Sequence, residues 1–80
     1  MDRILKFILK LNEKDSERVL KAYRAILENK LDNLDIKPIS ERKWWFRCRI
    51  GKVRIVFIRV KPGVNVAHEI NFRDKSYRKK

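Results

Sequence analysis

Four arginines carry the chemistry this chain is equipped for. Arg47 and Arg49 stand two residues apart, Arg54 follows just beyond the Gly51-Lys52 pair, and Arg73 comes near the end. A guanidinium offers a planar fork of donors that fits phosphate oxygens two at a time, and it keeps its charge throughout the physiological range. Residue types for other chemistry are scarce. One cysteine, Cys48, and one histidine, His68, leave no zinc or iron-sulfur ligand set and allow no internal disulfide, so neither a metal nor a cofactor is expected. The bland alternative is that a basic strand face merely keeps an open sheet soluble and blunts edge pairing. The use of Arg rather than Lys on that face favours phosphate.

The overall charge agrees with that choice. The 80 residues hold 22 Lys and Arg against 10 Asp and Glu, a net charge of +12. Residues 41 to 80 supply 13 of those bases and only 3 of the acids. A field concentrated in one half of a small molecule raises the local concentration of polyanions, so nucleic acid, RNA above all, is the first partner to consider and an acidic protein the second. Apolar runs such as Ile4 to Leu11 are broken by lysines and fall short of a bilayer span, and no signal-peptide pattern is present. A cytoplasmic protein with no membrane partner is expected, folded as one domain over residues 1 to 80. A core this thin leaves little room for a large internal cavity, so any chemistry belongs on an open face.

The elements that must position the arginines follow from periodicity. Ile4, Leu5, Phe7, Ile8 and Leu11 recur at helical spacing, and Asn12 ends that helix. A second helix is expected with Asp15 or Ser16 as its cap, showing Val19, Ala22, Tyr23, Ile26 and Leu27 on one stripe. Residues 29 to 40 read as an ordered crossing loop. From Lys43 the period changes to two. Three antiparallel strands are expected: one through Trp44 to Ile50, one from Val53 to Val60 after a turn at Gly51 and Lys52, and one from Val64 to Phe72 after Lys61-Pro62-Gly63. The fold class is therefore α+β, with two antiparallel helices packed on one face of a three-stranded antiparallel sheet.

Alternation then assigns faces. Trp44, Phe46, Cys48, Ile50, Val53, Ile55, Phe57, Val66, His68, Ile70 and Phe72 are expected towards the helices. Trp45, Arg47, Arg49, Arg54, Ala67, Glu69, Asn71 and Arg73 fall on the open face, so four arginines from three strands share one surface. His68 reads as a core-edge side chain and Cys48 as a small buried hydrophobe. Trp45 either stacks on a nucleic-acid base or covers the sheet.

With these elements in place, Trp45-Phe46-Arg47-Cys48-Arg49-Ile50-Gly51-Lys52-Val53-Arg54-Ile55-Val56-Phe57 resembles the central "yRvRvGdyRviy" core of RelE/ParE-type toxins. Ile70-Asn71-Phe72-Arg73 through Tyr77 and Arg78 is similar to the family's closing "I-x-h-R-x-x-x-Y-r", and Ile36-Lys37-Pro38-Ile39 resembles its "K-x-L" segment. The likeness spans nearly the whole chain. Two departures stand beside it: family members usually open with a strand before the first helix, and many carry lysines where this chain has Arg47 and Arg49 and a His or second Arg near the last strand's end, where this chain has Asn71 and Phe72.

The resemblance implies the toxin of a type II toxin-antitoxin pair, a RelE-like mRNA interferase that cuts messenger RNA on the ribosome. A ribose 2′-hydroxyl attacks the adjacent phosphate, leaving a 2′,3′-cyclic phosphate and a 5′-hydroxyl by a route that takes no metal. Arg54 and Arg73 are expected against the developing phosphorane charge, and Tyr77 as the candidate base, its phenol assisted by nearby cations. Arg47, Arg49, Trp45, Lys52, Arg78, Lys79 and Lys80 are expected to hold RNA. An acidic cognate antitoxin is implied as partner. Two alternatives stay open: a ParE-like inhibitor of DNA gyrase, and a non-catalytic basic module that binds RNA or the ribosome.

Overall fold

Asp2 and Asn12 each start a helix by the same device, a side-chain oxygen that accepts a backbone N–H otherwise left without a partner. The computed structural model describes residues 2–72 and opens with α1 (Arg3–Leu9), where Asp2 Oδ1 accepts from Ile4 N at 3.0 Å. Its second oxygen accepts from the Tyr23 hydroxyl at 2.9 Å. The backbone hydrogen bond, then that of Tyr23, holds the Asp2 carboxyl below its ordinary value. Burial, then the bond to Asp2, pushes the Tyr23 phenol up. This contact ties the start of α1 to the later half of α2 (Glu13–Leu27).

Helix α2 begins earlier than Asp15 or Ser16. Asn12 is its N-cap: Oδ1 accepts from Asp15 N at 2.9 Å and Nδ2 donates to Asp15 Oδ2 at 3.1 Å, a reciprocal box that places Asp15 in the first turn. Its far end closes with Asn29 at φ 58°, Asn29 N donating to Ile26 O and Lys30 N to Ala25 O, the pattern of a Schellman cap. Ile4, Ile8, Val19, Tyr23 and Ile26 from the helices meet Cys48, Val53, Ile55 and Phe57 from the sheet, all buried. Leu27, expected on the apolar stripe, is 44% exposed at the helix end.

Among the described residues the sheet has four strands where three were expected. Besides β2 (Trp45–Ile50), β3 (Val53–Lys61) and β4 (Val64–Phe72), a short β1 (Asp35–Pro38) lies inside the segment read as a crossing loop and pairs antiparallel with β2. Four residues ending in Pro are too few to show alternation, and their pairing comes from β2 rather than from local propensity. The order is β1-β2-β3-β4, every neighbour antiparallel. Gly51 at φ 57° is followed by a Lys52 without positive φ, which fits the two-residue hairpin turn that needs glycine first.

Strand β4 departs from simple alternation. Val56 faces Glu69 but Phe57 faces Ala67, so His68 is an extra residue in a bulge. One inserted residue reverses the faces of everything before it. Ala67 therefore turns towards the helices and Val66, 47% exposed, turns away, the opposite of what alternation from Ile70 implies. Asn65 is carried inside at 4% exposure. Its Nδ2 donates to Ile26 O at 2.9 Å and Asn29 Oδ1 at 3.0 Å, and its Oδ1 accepts from Arg59 Nε at 3.1 Å, fastening β4 to the end of α2. Trp44, expected in the core, is 59% exposed at φ 70° just before β2. Its carbonyl still accepts from Arg59 N at 2.8 Å, but the left-handed backbone takes its side chain out of the strand's alternation, beside Val60 and Pro62.

Candidate functional site

The face turned away from the helices is a grid set by register, since residues directly opposite on antiparallel strands point the same way. One row runs Asp35, Arg49, Arg54, Asn71 across β1 to β4; the next runs Lys37, Arg47, Val56, Glu69. A third holds Trp45, Ile58 and Val66. Three of the arginines expected on this surface are thus brought together on β2 and β3. Arg73 lies outside the described residues, as do Tyr77, Arg78, Lys79 and Lys80. Lys52 is exposed in the β2–β3 turn, at the edge of the arginine rows.

This grouping works against its own stability. Arg49 and Arg54 are directly opposed across β2 and β3, an arrangement of like charges that costs a few tenths to about 1 kcal/mol. Among the described residues none of the three forms an ion pair, although Asp35 and Glu69 stand at the ends of their rows. Among the described residues, the buried polar side-chain atoms left without a hydrogen bond are Arg47 Nε, Arg54 Nε and Asn71 Oδ1, and all three belong to this face. Buried donors are almost always satisfied, so two orphaned guanidinium N–H groups in adjacent rows of one face are an unusual feature of this surface. The only carboxylate on β4 is engaged elsewhere: Glu69 Oε2 accepts from Asn71 Nδ2 at 2.9 Å.

An aromatic cluster borders the arginines. The Trp45 ring meets the His68 ring edge-on at 4.8 Å between centroids and 66° between planes, spanning β3. Arg42 lies over the Trp45 ring at 4.5 Å. The base-stacking role considered for Trp45 therefore competes with Arg42, and covering the sheet describes its place better. Val56, at the centre of the open face, is only 8% exposed among these long side chains. His68 is not a core-edge residue. The bulge puts it on the open face, its side chain 46% exposed and its Nε2 4.0 Å from Glu69 Oε1.

Sequence reasoning missed two residues of this surface, Lys37 and His68. Lys37 needed β1 to be seen; His68 needed the bulge, which has no signature in the local pattern of Val66-Ala67-His68-Glu69. Cys48 behaves as expected, fully buried, its thiol pushed up to about 11 by burial first and then by the charge of Asp35. A concavity of about 740 Å³ lies between α2, residues 29 to 35 and the end of β2, and its lining mixes Arg18, Lys21, Lys30 and Arg49 with Asp32 and Asp35. Its charges of both signs are intermixed, whereas the arginine face keeps its carboxylates, Asp35 and Glu69, at the row ends. Among the described residues no three His, Cys, Asp or Glu side chains are grouped to hold a metal ion, and no helix is long and apolar enough to cross a membrane. No protein-family model, curated protein or solved structure matches the chain.

Proposed function

We propose that the open arginine face binds the phosphates of RNA, and that the chain is a ribosome-dependent endoribonuclease of the RelE kind, the toxin of a type II toxin-antitoxin pair. The observation that carries the phosphate reading is the pair of buried Nε donors of Arg47 and Arg54, unpartnered among the described residues, beside the opposed Arg49, with none of the three in an ion pair among those residues. The nuclease reading adds the resemblance of residues 45 to 57 and 70 to 78 to that family's motifs.

In this reading Arg54, with Arg73, faces the phosphate under attack by the 2′-hydroxyl, where negative charge grows and preorganised donors are worth most. Arg47, Arg49 and Lys37 hold the neighbouring phosphates. Arginines at these places fix charge but do not exchange protons, so positioning on the ribosome carries much of the rate and Tyr77 is the candidate base. The partner that silences the protein is an acidic antitoxin whose carboxylates compete for the same guanidinium groups, and the work is done in the cytoplasm.

The test is translation of a defined message in a cell-free extract, with RNA ends mapped by primer extension, beside Arg54→Ala and Tyr77→Phe. New cuts inside translated codons, absent without ribosomes and lost in Arg54→Ala, are expected. Intact message with the protein bound to ribosomes would leave an RNA-binding module without nuclease activity. Intact message without binding would direct attention to gyrase supercoiling.

A further inference from the structure

Cations and N–H donors satisfy a phosphate, but a nucleotide also brings a flat base and hydrogen-bond donors on its ribose and its base edge. The arginine face offers little for that second part, because Arg42 already lies over the Trp45 ring and Val56 is buried among long side chains. The concavity at the border of this face offers more. Arg49 and Asp35 are direct partners across β2 and β1, and both stand in an arginine row and line the concavity, so the two surfaces meet at this pair.

The lining supplies what a nucleoside needs. Ala22 and Ala25 are three residues apart in α2 and share one helical face, and with Ile50 at the end of β2 they give an apolar wall. Asp32 and Asp35 line the concavity from the segment that leads into β1, and both are exposed. An ionised carboxylate only accepts hydrogen bonds, so a ligand beside these two must bring donors. They repel a bare phosphate chain, but a group that carries hydroxyls or an amine next to its phosphate fits both the carboxylates and the cations of the same lining. Ribose hydroxyls and exocyclic base amines are such donors. The volume, about 740 Å³, falls within the range of about 300 to 1,000 Å³ common for small-ligand sites.

We propose that this concavity is a nucleoside subsite. It takes the base and ribose of the RNA residue adjoining the phosphate held by Arg49, with Asp32 and Asp35 accepting from that residue's hydroxyl or amino groups. The assignment rests on the phosphate reading of the arginine face and is independent of the nuclease reading. An RNA strand bound in this way leaves the sheet face beside Asp35, at the β1 edge.

The experiment titrates the full chain, at one fixed salt concentration, into two fluorescein-labelled hexamers followed by anisotropy. One is an RNA of mixed sequence; the other is built of abasic deoxyribose residues, which keep the phosphates but carry neither bases nor 2′-hydroxyls. Wild type is expected to bind the RNA about tenfold or more tightly than the abasic strand, as one hydrogen bond to a charged group would give. Removing a carboxylate beside a polyanion by itself tightens binding of both strands. Asp32→Ala is expected to do the opposite with RNA, weakening it and losing most of the preference, while the abasic strand binds as well as before or better. Ala25→Phe fills the apolar wall and leaves every charge in place, and it is expected to lose the preference in the same way. Equal affinity of wild type for the two strands, or a preference that survives in either folded variant, would overturn the subsite and leave the phosphate reading standing. Failure of wild type to bind either strand would overturn the phosphate reading, and the subsite with it.

Discussion

Arg54→Met separates an arginine kept for a ligand from one kept for the fold. The substitution retains an unbranched apolar stem over the sheet and removes the guanidinium, whose Nε is buried without a hydrogen bond and whose charge is directly opposed to Arg49. Leaving a buried donor unpaired costs about 1 to 3 kcal/mol, and relief of the opposed like charge adds a few tenths to about 1 kcal/mol. Part of the guanidinium is solvated, so the lower end applies: a gain of about 1 to 2 kcal/mol. For a domain of this size each kcal/mol moves the midpoint by about 4 to 8 °C, so thermal unfolding followed by circular dichroism should show Arg54→Met melting several degrees above wild type in low-phosphate buffer. Adding a short single-stranded RNA should reverse the order. A ligand at a hundred times its Kd stabilises its host by about 2.7 kcal/mol, and the wild type should gain more of this than the variant. If Arg54→Met instead melts lower without RNA, Arg54 has a structural partner and the reasoning fails.

Two further outcomes follow from the same structure. Asn65→Ala leaves Arg59 Nε without its partner, removes one of the two donors to the Ile26 carbonyl and unfastens β4 from the end of α2, so urea unfolding should show a loss of about 1 to 3 kcal/mol, against little change for the exposed Val66→Thr. Cys48, raised to about 11 in the fold, is a group whose native value lies above its unfolded one; its contribution to stability is complete below about 8.5 and falls away as pH rises towards 11. Cys48→Ala should therefore flatten the alkaline limb of the midpoint-against-pH curve. In the native protein at pH 8 the thiol should react with a disulfide reagent far more slowly than in urea.

Much of this surface was legible because β2 and β3 obey the simplest rule. Their alternation is unbroken from Trp45 to Ile58, and a two-residue turn with glycine first leaves one register, so Arg47, Arg49 and Arg54 had to share a face. What failed lay where a distant element decides. Asn12 reads as a stop for α1 until its bond to Asp15 shows it starting α2. Strand β1 exists because β2 offers an edge. The bulge at His68 follows from pairing with β3, and it reverses Asn65 to Ala67 without any local sign; the buried Asn65 network and the surface His68 were both hidden by it. Trp44 looked apolar enough for the core, but its backbone at φ 70° turns it to solvent.

The most direct measurement of phosphate binding is the salt dependence of affinity for a short single-stranded RNA, followed by fluorescence anisotropy for wild type and for Arg47→Gln with Arg54→Gln. Each phosphate contact on a single strand contributes about 0.7 to the slope of log K against log salt. The arginine-face reading predicts that the double variant binds more weakly and that its slope is shallower by about 1.4. An unchanged affinity and slope would place RNA elsewhere on the molecule and contradict the account.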